Sequence, residues 1–119
     1  MSEVEVNAKE YVAGLMERAR KAQKVAENFT QEKVDELTKA IAWAIVKEEN
    51  SKKIAQLAID ESQLGYYEAK YTKLQKKVRG ALRDMNGAKS VGVIERDEKK
   101  GIIKIAKPVG VIGAIVPCT

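Results

Sequence analysis

The stretch that decides the fold runs from Lys107 to Thr119 and reads KPVGVIGAIVPCT. Pro108 punctuates the chain, and VGVIGAIV, Val109 to Val116, then follows without a single polar side chain. A strand with one wet face alternates apolar and polar residues, so an unbroken apolar run suits a strand covered on both faces, as in a parallel sheet. Such a strand needs a neighbour on each edge and helices above and below it. Nothing after Thr119 supplies them, so residues 1–119 read as a single, incomplete domain, cut short after its strand.

Immediately upstream the pattern is different. VGVIER, the polar turn DEKKG and IIKIAK alternate in the manner of a β-hairpin over 91–107, with Gly101 available for a positive φ. Further back, three- and four-residue spacing replaces alternation, and helices are expected over about 6–28, 30–49, 51–64 and 66–86. In the first, Ala8, Tyr11, Leu15, Ala19, Ala22 and Ala26 make a narrow stripe on a surface helix. Thr30 is placed to cap the second, with Glu32 in its first turn and Phe29 able to staple onto Val34. Val34, Leu37, Ile41 and Ile45 form one row there, which predicts burial of that face. Asn50-Ser51 offers a break, leaving open whether one helix or two span Thr30 to Leu64, and Gly65 is the expected C-terminal cap. On the fourth helix Tyr67, Tyr71, Leu74, Val78, Leu82 and Met85 line one face, opposite its lysines, and Asn86-Gly87 stops it. The fold class is thus an α+β or α/β fragment: an antiparallel helical layer, a hairpin and one strand over 109–116.

Composition narrows the function. With 33% charged and 45% apolar residues the chain is an ordered globule, not a disordered tail. No stretch approaches the roughly 18 apolar residues of a membrane span, and the acidic start MSEVEVNAKE does not fit a signal peptide. A cytoplasmic protein with no membrane partner is expected. One cysteine and no histidine leave no internal disulfide and none of the common zinc or Cys-His arrangements, so no metal site is expected. The net charge is +5, and Tyr66 to Lys89 carries all of it, with Lys70, Lys73, Lys76, Lys77, Arg79, Arg83 and Lys89 against Glu68 and Asp84. That face lacks aromatic side chains for stacking, because Tyr67 and Tyr71 lie on the apolar stripe, so it reads as a solvated face and no nucleic acid partner is expected.

IAKPVGVIGAIVPCT resembles the stretch "(E/K)PVGV(I/V)(G/A)xIxP" that ends the hairpin and forms the first strand of the nucleotide-binding domain in the aldehyde dehydrogenase superfamily. ARKAQKVAENFTQEKVDEL, Ala19 to Leu37, resembles the opening "RAxxAQxxxxxFTQEQVDxI" of its CoA-acylating branch, and Pro117-Cys118-Thr119 resembles that branch's "PxTNP" loop. The branch includes acetaldehyde- and sulfoacetaldehyde-type enzymes and the aldehyde half of bifunctional aldehyde-alcohol dehydrogenases. The resemblance implies NAD(P)-linked oxidation of an aldehyde to an acyl-CoA through a thioester on a cysteine far downstream. These 119 residues would therefore be inactive alone, with no catalytic residue and no bound NAD(P) or CoA. It further implies a helical layer over 1–88, an oligomerisation hairpin over 89–107 in a homo-oligomer, and the start of a Rossmann-like nucleotide-binding domain over 108–119. Val116, Pro117, Cys118 and Thr119 match the loop that runs along the cofactor's ribose. Thr119 matches the position where non-acylating relatives place an asparagine that donates to the thiohemiacetal oxygen.

Plainer readings stand beside these. Cys118 is the sole thiol, but no histidine is present to activate it, so it reads as non-catalytic. Gly110 and Gly113 lie inside the strand and lack GxGxxG spacing, so Gly113 is better read as a point of close approach to the sheet by a helix or a cofactor. An uncovered hairpin edge invites unwanted pairing, which favours assembly with another subunit. The alternative to the enzyme is a stand-alone helical interaction module that assembles through this hairpin without catalysis.

Overall fold

A computed structural model describes residues 7–117, so Val6, where the first helix was expected to begin, and the loop residues Cys118 and Thr119 lie outside the described part. It contains α1 (Ala8–Ala26), α2 (Gln31–Val46), α3 (Glu48–Ser62), α4 (Tyr67–Met85), β1 (Gly92–Asp97) and β2 (Ile102–Ala106). The described residues fall into two compact units, one from 7–30 with 90–114 and the other from 31–89 with 115–117.

In the first unit α1 starts at Asn7, whose Oδ1 accepts from the Lys9 and Glu10 amides at 3.1 and 3.4 Å. Glu10 in the first turn and Lys24 in the last complement the helix dipole. No residue of α1 is buried, and Tyr11, Val12 and Leu15 of its apolar side are exposed. The hairpin pairs antiparallel from Gly92↔Ala106 to Asp97↔Ile102, with a bulge between Val93 and Glu95. Gly101 has φ 64 in the turn, as expected, and the Lys100 amide donates to Asp97 Oδ1 at 3.1 Å. Glu95 and Lys104 pair across the strands at 2.6 Å. Ile103 and Ile105 are more than half exposed.

The strand expected over 109–116 is not confirmed: among the described residues this segment has no strand partner, and a strand exists only through its ladder. Gly110 has φ 99, outside extended geometry, and a Cβ added at Gly113 would meet no described atom within 4 Å. Val109, Ile112, Ile115 and Val116 are exposed.

In the second unit α4 packs on both α2 and α3, and the small core is made of Ala42, Val46 and Ala55 with the hydroxyl of Ser51. Two helices, not one, span this region. The chain breaks at Lys47, with ψ 128, three residues before the expected Asn50. Side chains then meet the carbonyls that the end of α2 leaves open. Asn50 Nδ2 donates to Ala44 O at 2.6 Å, and Gln75 Nε2 from α4 donates to both Val46 O and Ser51 Oγ at 2.7 Å. Arg79 donates to the other end of that amide, Gln75 Oε1, at 3.1 Å.

Three further expectations shift. The buried side of α2 is Ala42 and Val46, whereas Ile41 is 63% exposed. Small side chains let α4 approach closely, and the row Val34, Leu37 and Ile45 is only half covered. The left-handed cap of α3 is Gln63, with φ 53 and its amide donating to Ile59 O, two residues before Gly65. The cations of α4 are not confined to its far side, since Lys70 is half-buried and Arg79 lines a groove against α2.

Candidate functional site

The expected cofactor-loop residues Val116 and Pro117 line a cleft of about 590 Å³ between α3 and α4. Ile54, Ala58 and Leu74 supply its apolar wall, and Glu61, Ser62, Lys70 and Lys73 its polar edge. The helical repeat explains the grouping: Ile54, Ala58, Glu61 and Ser62 recur along one side of α3, and Lys70, Lys73 and Leu74 along the facing side of α4. Ser62 closes α3 locally, its hydroxyl donating to Ala58 O and accepting from the Leu64 amide at 3.2 Å. Gly65 sits against the Lys70 stem, where an added Cβ would meet Cε at 3.4 Å.

This cleft can seat a ligand with an apolar body and an anionic group, through wall and ammonium respectively. It holds no thiol and no histidine among the described residues, and none of their acidic clusters could bind a metal ion. The groups with displaced proton affinities lie elsewhere, on the exposed start of α3. Hydrogen bonds from Lys52 and Lys53 hold the Glu48 and Glu49 carboxyls below the ordinary carboxylate value, and Glu48 in turn raises Lys52.

Of the four residues that sequence pointed to, two meet at this cleft. Neither the participation of α3 nor that of Lys70 was foreseen, because a contact between residues more than forty positions apart leaves no local signal. Gln75 was also overlooked, although a signal existed: it lies four residues after Tyr71 and three before Val78, a polar group on an apolar stripe.

The fold and cleft define a helical layer followed by a hairpin and an apolar loop, and comparison with known proteins specifies the class. The chain is 49% identical over 108 residues to sulfoacetaldehyde dehydrogenase (acylating) of Bilophila wadsworthia, covering 91% of this chain and 23% of that protein. It is 35% identical over 115 residues to succinate-semialdehyde dehydrogenase (acetylating) of Clostridium kluyveri, covering 97% of this chain and 24% of that one. The bifunctional aldehyde-alcohol dehydrogenase AdhE of Escherichia coli K12 is 37% identical over 108 residues, covering 88% of this chain and 12% of the enzyme. No protein-family model matches the chain. The chain is therefore homologous to the N-terminal region of these acylating aldehyde dehydrogenases and of AdhE. It spans about a quarter of the length of the acylating relatives it matches.

Proposed function

We propose that these residues form the N-terminal part of an NAD(P)-dependent, CoA-acylating aldehyde dehydrogenase that converts an aldehyde to an acyl-CoA in the cytoplasm. The observation that carries this is the 49% identity over 108 residues to an acylating sulfoacetaldehyde dehydrogenase. NAD(P) and CoA would supply hydride acceptance and the acyl acceptor thiol; the described residues contribute walls, not reacting groups. Val116 and Pro117 would border the cofactor's ribose, with Cys118 and Thr119 continuing the same loop. The reacting thiol is assigned to residues outside this stretch, so the 119 residues alone are inactive. The hairpin, with Ile103 and Ile105 uncovered, would pair or pack against another subunit of a homo-oligomer.

The test uses the protein encoded by the complete open reading frame that carries these residues. Sulfoacetaldehyde, succinate semialdehyde and acetaldehyde are each offered with NAD or NADP, with and without CoA, and reduced nicotinamide is followed by absorbance. CoA-dependent reduction with at least one aldehyde is expected. Reduction indifferent to CoA, or none with any of the three, contradicts the proposal.

A further inference from the structure

On the far side of α4 from the Val116 cleft, two adjoining hollows lie between α2 and α4, of about 360 and 280 Å³. They share Lys39, Arg79 and Leu82. The larger adds Arg83, so Lys39, Arg79 and Arg83 face one carboxylate, that of Asp35, which already accepts from Gln31 Nε2 at 2.8 Å. Arg83 is paired with Asp84, and Arg79 spends one N–H on Gln75, but Lys39 has no ion pair or hydrogen bond from its ammonium among the described residues. The smaller hollow is walled by Trp43, which is 61% exposed. The structure thus sets a large aromatic face, contributed by α2, beside the cations of α4.

We infer that this groove binds a nucleoside phosphate, with the base against Trp43 and the phosphates among Lys39, Arg79 and Arg83. An indole face stacks a planar base regardless of its identity, and a guanidinium with unused N–H groups binds phosphate in a fork. Each hollow lies near or just below the lower end of the range typical of small-molecule sites, so the pair suits a compact ligand and not an extended peptide. Trp43 and the basic helix were far apart in the sequence, and only packing of α2 on α4 brings them together.

Trp43 is the only tryptophan of these 119 residues and reports on the groove directly. The protein encoded by the complete open reading frame is titrated with ADP, adenosine and inorganic pyrophosphate while its fluorescence is followed, and Trp43→Phe identifies the part of the signal that comes from this groove. A saturable change with ADP is expected, about tenfold tighter than with adenosine or pyrophosphate, because each of these keeps only half of the contacts. Arg79→Gln and Lys39→Gln should each weaken ADP by roughly tenfold. Lys39→Gln removes no side-chain hydrogen bond among the described residues, so it tests the site without touching Gln75. Several outcomes overturn the assignment: no saturable change, equal affinity for adenosine, or unchanged ADP affinity in Lys39→Gln. So does weakening by Lys70→Gln instead, which would put ADP in the α3–α4 cleft. An acidic peptide that binds more tightly than ADP would make the groove a protein-docking surface.

Discussion

Gln75→Ala removes a side chain that ties α4 to the break between α2 and α3. The amide donates to Val46 O and to Ser51 Oγ, both at 2.7 Å. Each bond contributes about 1 kcal/mol net, and a buried carbonyl left without a donor costs about 1–3 kcal/mol. Val46 is 7% exposed, so water cannot readily replace the amide there. Ser51, with no exposed surface, keeps its own bonds to Lys47 O and Glu48 O, so its loss is smaller. The expected destabilisation is therefore about 2–4 kcal/mol, which lowers Tm by on the order of 10 °C. Chemical and thermal unfolding followed by circular dichroism measures both. Gln75→Glu keeps the shape but donates neither proton at neutral pH, so it should destabilise comparably, which separates lost donation from lost packing. A cycle with Ser51→Ala should yield a coupling above about 0.5 kcal/mol. If both Gln75 variants unfold within about 0.5 kcal/mol of the parent, the amide does not hold the junction.

Other outcomes follow from single positions. Gln63→Gly should stabilise α3 by about 0.5–1 kcal/mol, since φ 53 is strained for a side chain and free for glycine; a loss of stability in unfolding experiments contradicts that. Gly101→Ala forces a Cβ onto φ 64 and should cost about 1 kcal/mol, read as lost amide protection across Gly92–Asp97 and Ile102–Ala106; unchanged exchange rates oppose it. Glu48 and Glu49 are held below their ordinary value of 4.5, so their support for α3 is complete above that pH and is lost as pH falls through the lower, folded value. Lys52 is raised above 10.5, so its support is complete below that pH and is lost as pH climbs past it. Lys52→Gln with Lys53→Gln should flatten the acid branch of α3 helicity, and an unaltered branch speaks against these pairs.

Local chemistry was readable wherever one residue decides the outcome. The turn at Gly101, the stop at Asn86-Gly87 and the periodicity of four helices all carry their signal in adjacent side chains. What depends on partners was not readable. The buried side of α2 is fixed by how close α4 comes to Ala42 and Val46, and the larger row containing Ile41 gave the opposite impression. Lys47 breaks the chain although lysine carries no capping preference, because Asn50 and Gln75 satisfy the carbonyls from outside the helix. Gln63, not Gly65, takes the left-handed cap, which glycine statistics alone cannot foresee. Val109 to Val116 has strand composition, yet pairing is a property of neighbours and not of the segment. At the cleft, the apolar loop drew attention to Val116 and Pro117, while α3 and Lys70 entered only through tertiary contact.

The most direct test of the central claim is the identity of the product. The protein encoded by the whole open reading frame is incubated with sulfoacetaldehyde, NAD(P) and CoA, and the mixture is analysed by mass spectrometry. The account predicts a thioester of CoA in step with the reduced nicotinamide formed. A free carboxylic acid, formed at the same rate with or without CoA, would contradict it and place the protein outside the acylating chemistry its relatives' names describe.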